Sequence, residues 1–260
     1  MIEKWSQGPA DENMPEAMLV ETLARVRRHP WWIARARLAL AVLQAQEISP
    51  PATVFDIGCG WGVNLQTLEK AGYHAVGIDI SRQILEAIDR PDRRLIQADL
   101  NQPVPVGRQR CSGAFLLDVI EHLDDDRGAI QRIAPLVESG GTLIVSVPAL
   151  PGLFSEFDSI QGHRRRYLPE TLRVAFADSG FAVRKIFWWG GWMVPVLRRM
   201  RQKATTGKQA APKTYADYLR LPPWPLPLVM RGLYAWEHHR ALRESLSTGT
   251  SLFAVAKRVG

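Results

Sequence analysis

The stretch Thr53-Val54-Phe55-Asp56-Ile57-Gly58-Cys59-Gly60-Trp61-Gly62 decides how the rest of the chain is read. Its apolar residues, 54–57, run into three glycines at alternate positions, and a helical pattern covers 63–70. A strand, a glycine turn and a helix in this order bind a nucleotide-like ligand at the carboxyl end of the strand. Glycines permit the sharp turn and leave no Cβ between the backbone and the ligand.

Outward from this turn, short apolar runs alternate with helical patterns. The strands are expected over 74–79, 94–99, 112–118, 142–147, 181–189 and 251–259. Helices are expected over 82–88, with Ser81 as cap, then 124–137 and 169–178. Such alternation predicts a Rossmann-like α/β fold: a mostly parallel sheet with right-handed crossovers and helices on both faces. Ligands then sit outside the carboxyl ends of the strands. Three of those ends carry Asp79, Asp99 and Asp118, and Asp56 precedes the glycine turn. Carboxylates gathered at strand termini do little for stability, so they mark a site.

The turn discriminates between two cofactor chemistries. Dinucleotides prefer G-x-G-x-x-G, with the diphosphate on the helix N-terminus. Here Gly58, Gly60 and Gly62 are followed by Val63, which misses that spacing, and Asp56 would face a diphosphate. S-adenosylmethionine carries a sulfonium and an ammonium, so nearby carboxylates favour it. Asp79 lies about twenty residues beyond the first glycine, where an acid accepts both ribose hydroxyls. Asp99 is placed to accept from the adenine amine.

With these residues in place, the chain resembles the class I S-adenosylmethionine-dependent methyltransferases. Segments 54–62, 77–80, 97–100, 115–122 and 140–147 carry the likeness and cover most of residues 52–150. The resemblance implies a seven-stranded sheet whose antiparallel last strand, 251–259, inserts between the fifth and sixth. It implies a cofactor site of Asp56, Gly58, Cys59, Gly60, Gly62, Asp79, Ile80, Asp99, Leu100 and Asp118. The 29–37, 162–167 and 249–252 segments look like a small-molecule subgroup similar to the ubiquinone-biosynthesis type, whose members often act in polyisoprenoid-linked or cell-envelope pathways.

The flanks organise around this core. Residues 1–15 read as a loose leader within an N-terminal helical extension over 1–48, and the methyltransferase core takes 49–189 and 250–260. Trp31 and Trp32 anchor the extension, or cover the cofactor together with Arg35, which suits a carboxylate. His122 and His163 are the candidate general bases for a hydroxyl acceptor. Arg164, Arg165, Arg166, Tyr167 and Trp192 are expected to bind the acceptor, the arginines suiting an anionic group.

Residues 190–249 form a basic, Trp- and Pro-rich insert, either a substrate lid or, through 188–230, a contact with a membrane surface. The net charge of +7 favours anionic partners without choosing among them. Cys59 and Cys111 stand apart, no Cys/His cluster has metal-ligand spacing, and the 1–16 stretch is too polar for a signal peptide. No metal is expected. A cytoplasmic protein follows, with peripheral contact at the inner membrane face as an extension. The leading function is O-methylation of a small or lipid-linked acceptor. RNA methylation and a non-catalytic cofactor-binding module are the alternatives; 118–121 lacks the Asn-Pro-Pro-Tyr-like stretch of amine-directed enzymes, which makes nucleic acid the weaker reading.

Overall fold

A computed structural model describes residues 1–6, 15–105, 109–206, 215–220, 223–243 and 246–260. Eight strands form one sheet: β1 (Glu3–Lys4), β2 (Thr53–Ile57), β3 (His74–Asp79), β4 (Arg94–Gln97), β5 (Cys111–Leu117), β6 (Val137–Pro148), β7 (Phe181–Trp189) and β8 (Ser251–Arg258). Their spatial order is β1-β4-β3-β2-β5-β6-β8-β7. All neighbours run parallel except β8, which is antiparallel to both β6 and β7. The last strand is therefore inserted where the sequence places it.

The helices are α1 (Glu16–Val26), α2 (Pro30–Gln44), α3 (Val63–Lys70), α4 (Arg82–Ile88), α5 (Asp126–Ile133), α6 (Glu156–Ile160), α7 (Pro169–Ala175), α8 (Met193–Thr206), α9 (Tyr215–Tyr218) and α10 (Leu226–Leu242). Alternate residues of the central strands supply two cores, as the two-residue period of a strand requires. Phe55, Ile57 and Leu116 face α5 and α7. Val54, Phe115 and Leu117 face Leu38, Val42 and Leu43 of α2 and Tyr234 of α10. Strand order reverses between β2 and β5, and the crevice outside their carboxyl ends is the expected ligand site.

Two expectations are corrected. The leader is not wholly loose: β1 adds an eighth strand at the β4 edge. Glu3 pairs with Ile96 and ion-pairs with Arg94 at 3.1 Å. The Trp5 amide donates to the Gln97 carbonyl at 2.9 Å, and its side chain is only 5% exposed. Two residues are too few to show a strand period, so sequence pattern alone passes over them. Secondly, the helix expected over 124–137 is shorter. Asp125 caps α5 by accepting from the Gly128 amide at 2.8 Å, and the chain tightens to a 3-10 turn over Ala134–Leu136. Pro135 removes a donor there, and Val137 already pairs with Cys111.

Trp5 thus joins the core that holds the β4 edge. Trp5→Ala is expected to lower the unfolding free energy by about 3 kcal/mol in urea denaturation. A loss below about 1 kcal/mol would show that the β1 edge contributes little.

Candidate active site

The glycine turn is held against the segment that leaves β5. Gly58 has φ +73°, and a Cβ there would overlap Val119 Cγ2. Gly60 has φ +43°, yet a Cβ on it would meet nothing within 4 Å. The first glycine permits close packing, whereas the second leaves open space beside the turn. That space belongs to a cavity of about 480 Å³ bounded by the turn, α2, the 117–122 segment, the 155–166 loop and helices α8–α10.

The carboxylates differ in environment. Asp56 is fully buried, and Asn64 from α3 donates to its Oδ1 at 3.0 Å. Burial raises its pKa to about 7 against the opposing Asn64 hydrogen bond and Arg35 charge. Its Oδ2 and the Asn64 Oδ1 have no partner. Asn64 lines the cavity and Asp56 does not, so Asp56 reaches the cavity through Asn64.

Asp79 accepts from the Gly60 amide at 2.8 Å and the Ser81 amide at 3.0 Å, tying β3 to the turn. Burial raises its pKa. Asp99 receives the Asn101 amide at 2.8 Å, and its own amide donates to Ser6 Oγ, so the N-terminal segment reaches this corner. Neither Asp79 nor Asp99 lines the cavity, and neither do Ile80, Leu100 or Gly62. Ile80 and Leu100 contribute carbonyls to Gln97 and Arg132 instead.

Asp118 has φ +56°, a left-handed conformation uncommon outside glycine. This turns its carboxylate to the buried Arg35 of α2, with which it forms an ion pair, while Ser146 Oγ donates at 2.9 Å. Arg35 stacks over Trp31 at 4.9 Å, and its Nε lacks a partner. His29 caps α2 through Nδ1, which accepts from the Trp31 amide at 3.2 Å. Burial lowers the His29 pKa to about 4 and keeps the ring neutral for that role. Trp31, Trp32 and Arg35 all line the cavity. Trp61 packs on Trp32 at 5.9 Å and on Tyr215 at 6.3 Å, with Nε1 donating to the Leu19 carbonyl at 2.9 Å.

The two histidines meet. Their rings are T-shaped at 4.7 Å, and both line the cavity. Asp158 Oδ1 lies 3.1 Å from His163 Nδ1, and His163 Nε2 lies 3.9 Å from Glu121 Oε1. Although burial opposes ionisation of Asp158, the His163 hydrogen bond and Arg166 hold it at about 2. Burial and the neighbouring His163 lower His122 to about 3, so it is a weak base. Burial and Asp118 push Glu121 well up. Donor atoms of Glu121, His122 and His163 all lie within 4.8 Å of one another.

The basic run behaves differently from its expectation. Arg164 bonds to the His122 carbonyl and Asp124, and Arg165 to the Leu123 and Asp124 carbonyls. Tyr167 donates to Asp126 at 2.8 Å. These three fasten the loop to the 120–126 segment and do not line the cavity. Arg166 does line it while bonded to Asp158 and the Ala149 carbonyl. Trp192 packs edge-on against Tyr234 at 5.3 Å, outside the lining. Sequence reasoning missed Asn64 and Asp158. Their signals were an amide in the first turn after the glycines and an acid five residues before His163.

The residues suit S-adenosylmethionine. Unpartnered buried oxygens on Asp56 and Asn64 await a donor, and Gly60 leaves room beside its Cα. Three arginines approach the turn, but Arg27 and Arg93 do not line the cavity, Arg93 being held by Glu69 and the Ile88 carbonyl, and Arg35 is already paired with Asp118.

Comparison with known proteins agrees. A methyltransferase domain family matches residues 31–186, so the chain belongs to this family. The matched core is a class I S-adenosylmethionine-dependent methyltransferase domain. An O-methyltransferase of Pyrenophora dematioidea is 26% identical over 58% of this chain and 62% of its own length. The ubiquinone biosynthesis O-methyltransferase of Methylococcus capsulatus is 26% identical over 45% of this chain and 56% of its own. An Arabidopsis thaliana 18S rRNA (guanine-N(7))-methyltransferase is 32% identical over 33% of this chain and 30% of its own. The chain thus spans less than two thirds of the length of these relatives. Among solved structures, the [4+2]-cyclase SpnF shares the fold, with a TM-score of 0.60, 17% identity, and 99% and 100% of the two chains covered.

Asp56 generates a pH prediction. Below about pH 3 it is neutral in both states. As pH rises from the ordinary value of 3.8 to about 7, the unfolded chain releases a proton that the folded chain keeps, so stability falls. Asp56→Asn is expected to raise the unfolding free energy at pH 8 by roughly 4 kcal/mol and to leave it nearly unchanged at about pH 3. Equal effects at both pH values in denaturant titrations would contradict the assignment.

Proposed function

We propose that the protein transfers the methyl group of S-adenosylmethionine to a hydroxyl on an acceptor with an apolar body. The carrying observation is a cavity of divided chemistry. Its lining combines Asp118 and the touching pair His122 and His163 with an apolar group of Met193, Leu197, Met230 and Tyr234, in which Tyr234 touches Met193. A polar head beside the histidines and an apolar body among the methionines fit this division. The names of the two O-methyltransferase relatives support an oxygen acceptor. The apolar wall favours a small molecule over an RNA base.

The cofactor supplies a methyl carbon already activated by a sulfonium. In this reading Arg35 and Asn64 Oδ1, which line the cavity, hold the methionine carboxylate and ammonium, and Asp79 and Asp99, outside its lining at the ends of β3 and β4, accept from the ribose hydroxyls and the adenine amine. Alignment of acceptor and donor supplies roughly 7–11 kcal/mol of the barrier. His163 is the better base of the two histidines. Asp158 accepts a hydrogen bond from the His163 Nδ1–H and orients the ring, which leaves Nε2 to accept the acceptor's proton. His122 stays neutral and borders the acceptor oxygen. A phenolic hydroxyl, ordinarily near pKa 10, suits a neutral imidazole better than an aliphatic alcohol does.

The test uses 4-dodecylphenol as a probe acceptor and follows S-adenosylhomocysteine formation. The wild type is expected to turn over, and His163→Ala to lose about 10²–10⁴-fold in kcat with unchanged S-adenosylhomocysteine affinity. His122→Ala is expected to lose less. No product from folded, cofactor-binding protein overturns the phenolic O-methylation reading; full turnover by His163→Ala overturns the base.

A further inference from the structure

Between β7 and β8 the chain departs from the composition of its core. Residues 190–250 hold ten of the 33 Lys and Arg but three of the 26 Asp and Glu, Asp217, Glu237 and Glu244. The rest of the chain is therefore neutral overall, and the excess positive charge belongs to this segment. Glu237 is fully buried and receives the Gly190 and Gly191 amides, so it does not offset the charge at the surface.

The same segment exposes its apolar side chains. Trp224 is 81% exposed and Trp236 is 52% exposed. Leu226, Leu228 and Val229 are exposed on the first turn of α10, and Val196 and Met200 on α8. Arg198 and Arg199 of α8, Arg231 of α10 and Arg243 just beyond it are exposed as well. Arg240 lies over the Trp236 ring at 4.9 Å. Exposed apolar groups gathered in one region mark an interaction surface. Tryptophan and aliphatic residues interleaved with arginine suit the boundary between headgroups and acyl chains, where rings and stems sit in the apolar layer and charges meet anionic headgroups.

The cavity ties this surface to the site. Met200 is 56% exposed and also lines the cavity, with Leu197 of α8 and Met230 of α10 beside it. The apolar part of the cavity therefore opens among the side chains that carry the exposed face. No helix among the described residues is long and apolar enough to cross a membrane, so contact is from one side.

We infer that the α8–α10 face docks on an anionic lipid bilayer, with the apolar mouth of the cavity turned to the lipid. The use of the mouth by an acceptor rests on the proposed methyl transfer; the docking does not. A protein partner or a second copy of this chain would cover the apolar groups equally well. The bilayer is favoured because exposed arginines accompany the exposed tryptophans and aliphatic side chains on α8 and α10, the same helices that supply Leu197, Met200 and Met230 to the cavity.

The experiment sediments the full chain with extruded vesicles of phosphatidylcholine alone or with 30% phosphatidylglycerol. The anionic vesicles are expected to bind roughly tenfold more protein, with the excess lost as salt rises. Trp224→Ala combined with Trp236→Ala, and Arg198→Glu combined with Arg199→Glu, are each expected to lower binding about tenfold. Calorimetric S-adenosylhomocysteine affinity should stay unchanged in both variants, which separates lost docking from a lost fold or a wrong cofactor. Equal binding to neutral and anionic vesicles, no vesicle binding at all, or variants that bind like wild type overturn the inference. So does a dimer in light scattering that the tryptophan variant converts to monomer.

Discussion

An ion pair between Arg35 of α2 and Asp118 beyond β5 joins the N-terminal helices to the point where the sheet reverses its strand order. Much of the site depends on it. It goes with the left-handed turn at Asp118, which aims the carboxylate at Arg35 and sets the next residue, Val119, against Gly58, while Trp31 lies beneath the guanidinium. A buried pair of this kind contributes little net stability, since desolvation offsets attraction. Its value is geometric. Both charges border the cavity, where a ligand bearing a carboxylate and cationic groups offers each of them a second partner.

The same economy runs through the other acids. Asp79 accepts from two backbone amides, Asp158 is paired with a histidine and an arginine, and Asp56 accepts from a single amide side chain. Asp56 is the exception in this set. One of its oxygens has no partner, and burial holds its pKa near neutrality. A group that costs stability in the isolated chain gains from a nearby cation, which is the relation expected between a folded apoprotein and a cationic cofactor.

Much of this was legible in the chain itself. The parallel core follows from alternating periods, the glycine spacing separates a diphosphate from a sulfonium, and the placement of the last strand follows from the family resemblance. What stayed hidden depends on tertiary approach. Arg164, Arg165 and Tyr167 read as an acceptor clamp because a basic run shows charge and no partner; folding supplies Asp124, Asp126 and three carbonyls. Asn64 and Asp158 carry no motif, and each matters only through the residue it touches. Trp61 lines the cavity and also joins Trp32 to Tyr215 across the N-terminal helices and the insert, contacts that only the folded chain reveals. β1 escaped notice because two residues and one buried tryptophan make no pattern.

The central claim is that the turn from Asp56 to Gly62 receives a cationic methyl donor and not a diphosphate. Equilibrium dialysis of the purified protein against S-adenosylmethionine and, separately, NAD tests it directly. The account predicts saturable binding of S-adenosylmethionine that weakens as pH falls below about 7, where Asp56 takes up its proton, and no measurable binding of NAD. Saturable binding of NAD, or no binding of S-adenosylmethionine by folded protein, would contradict it.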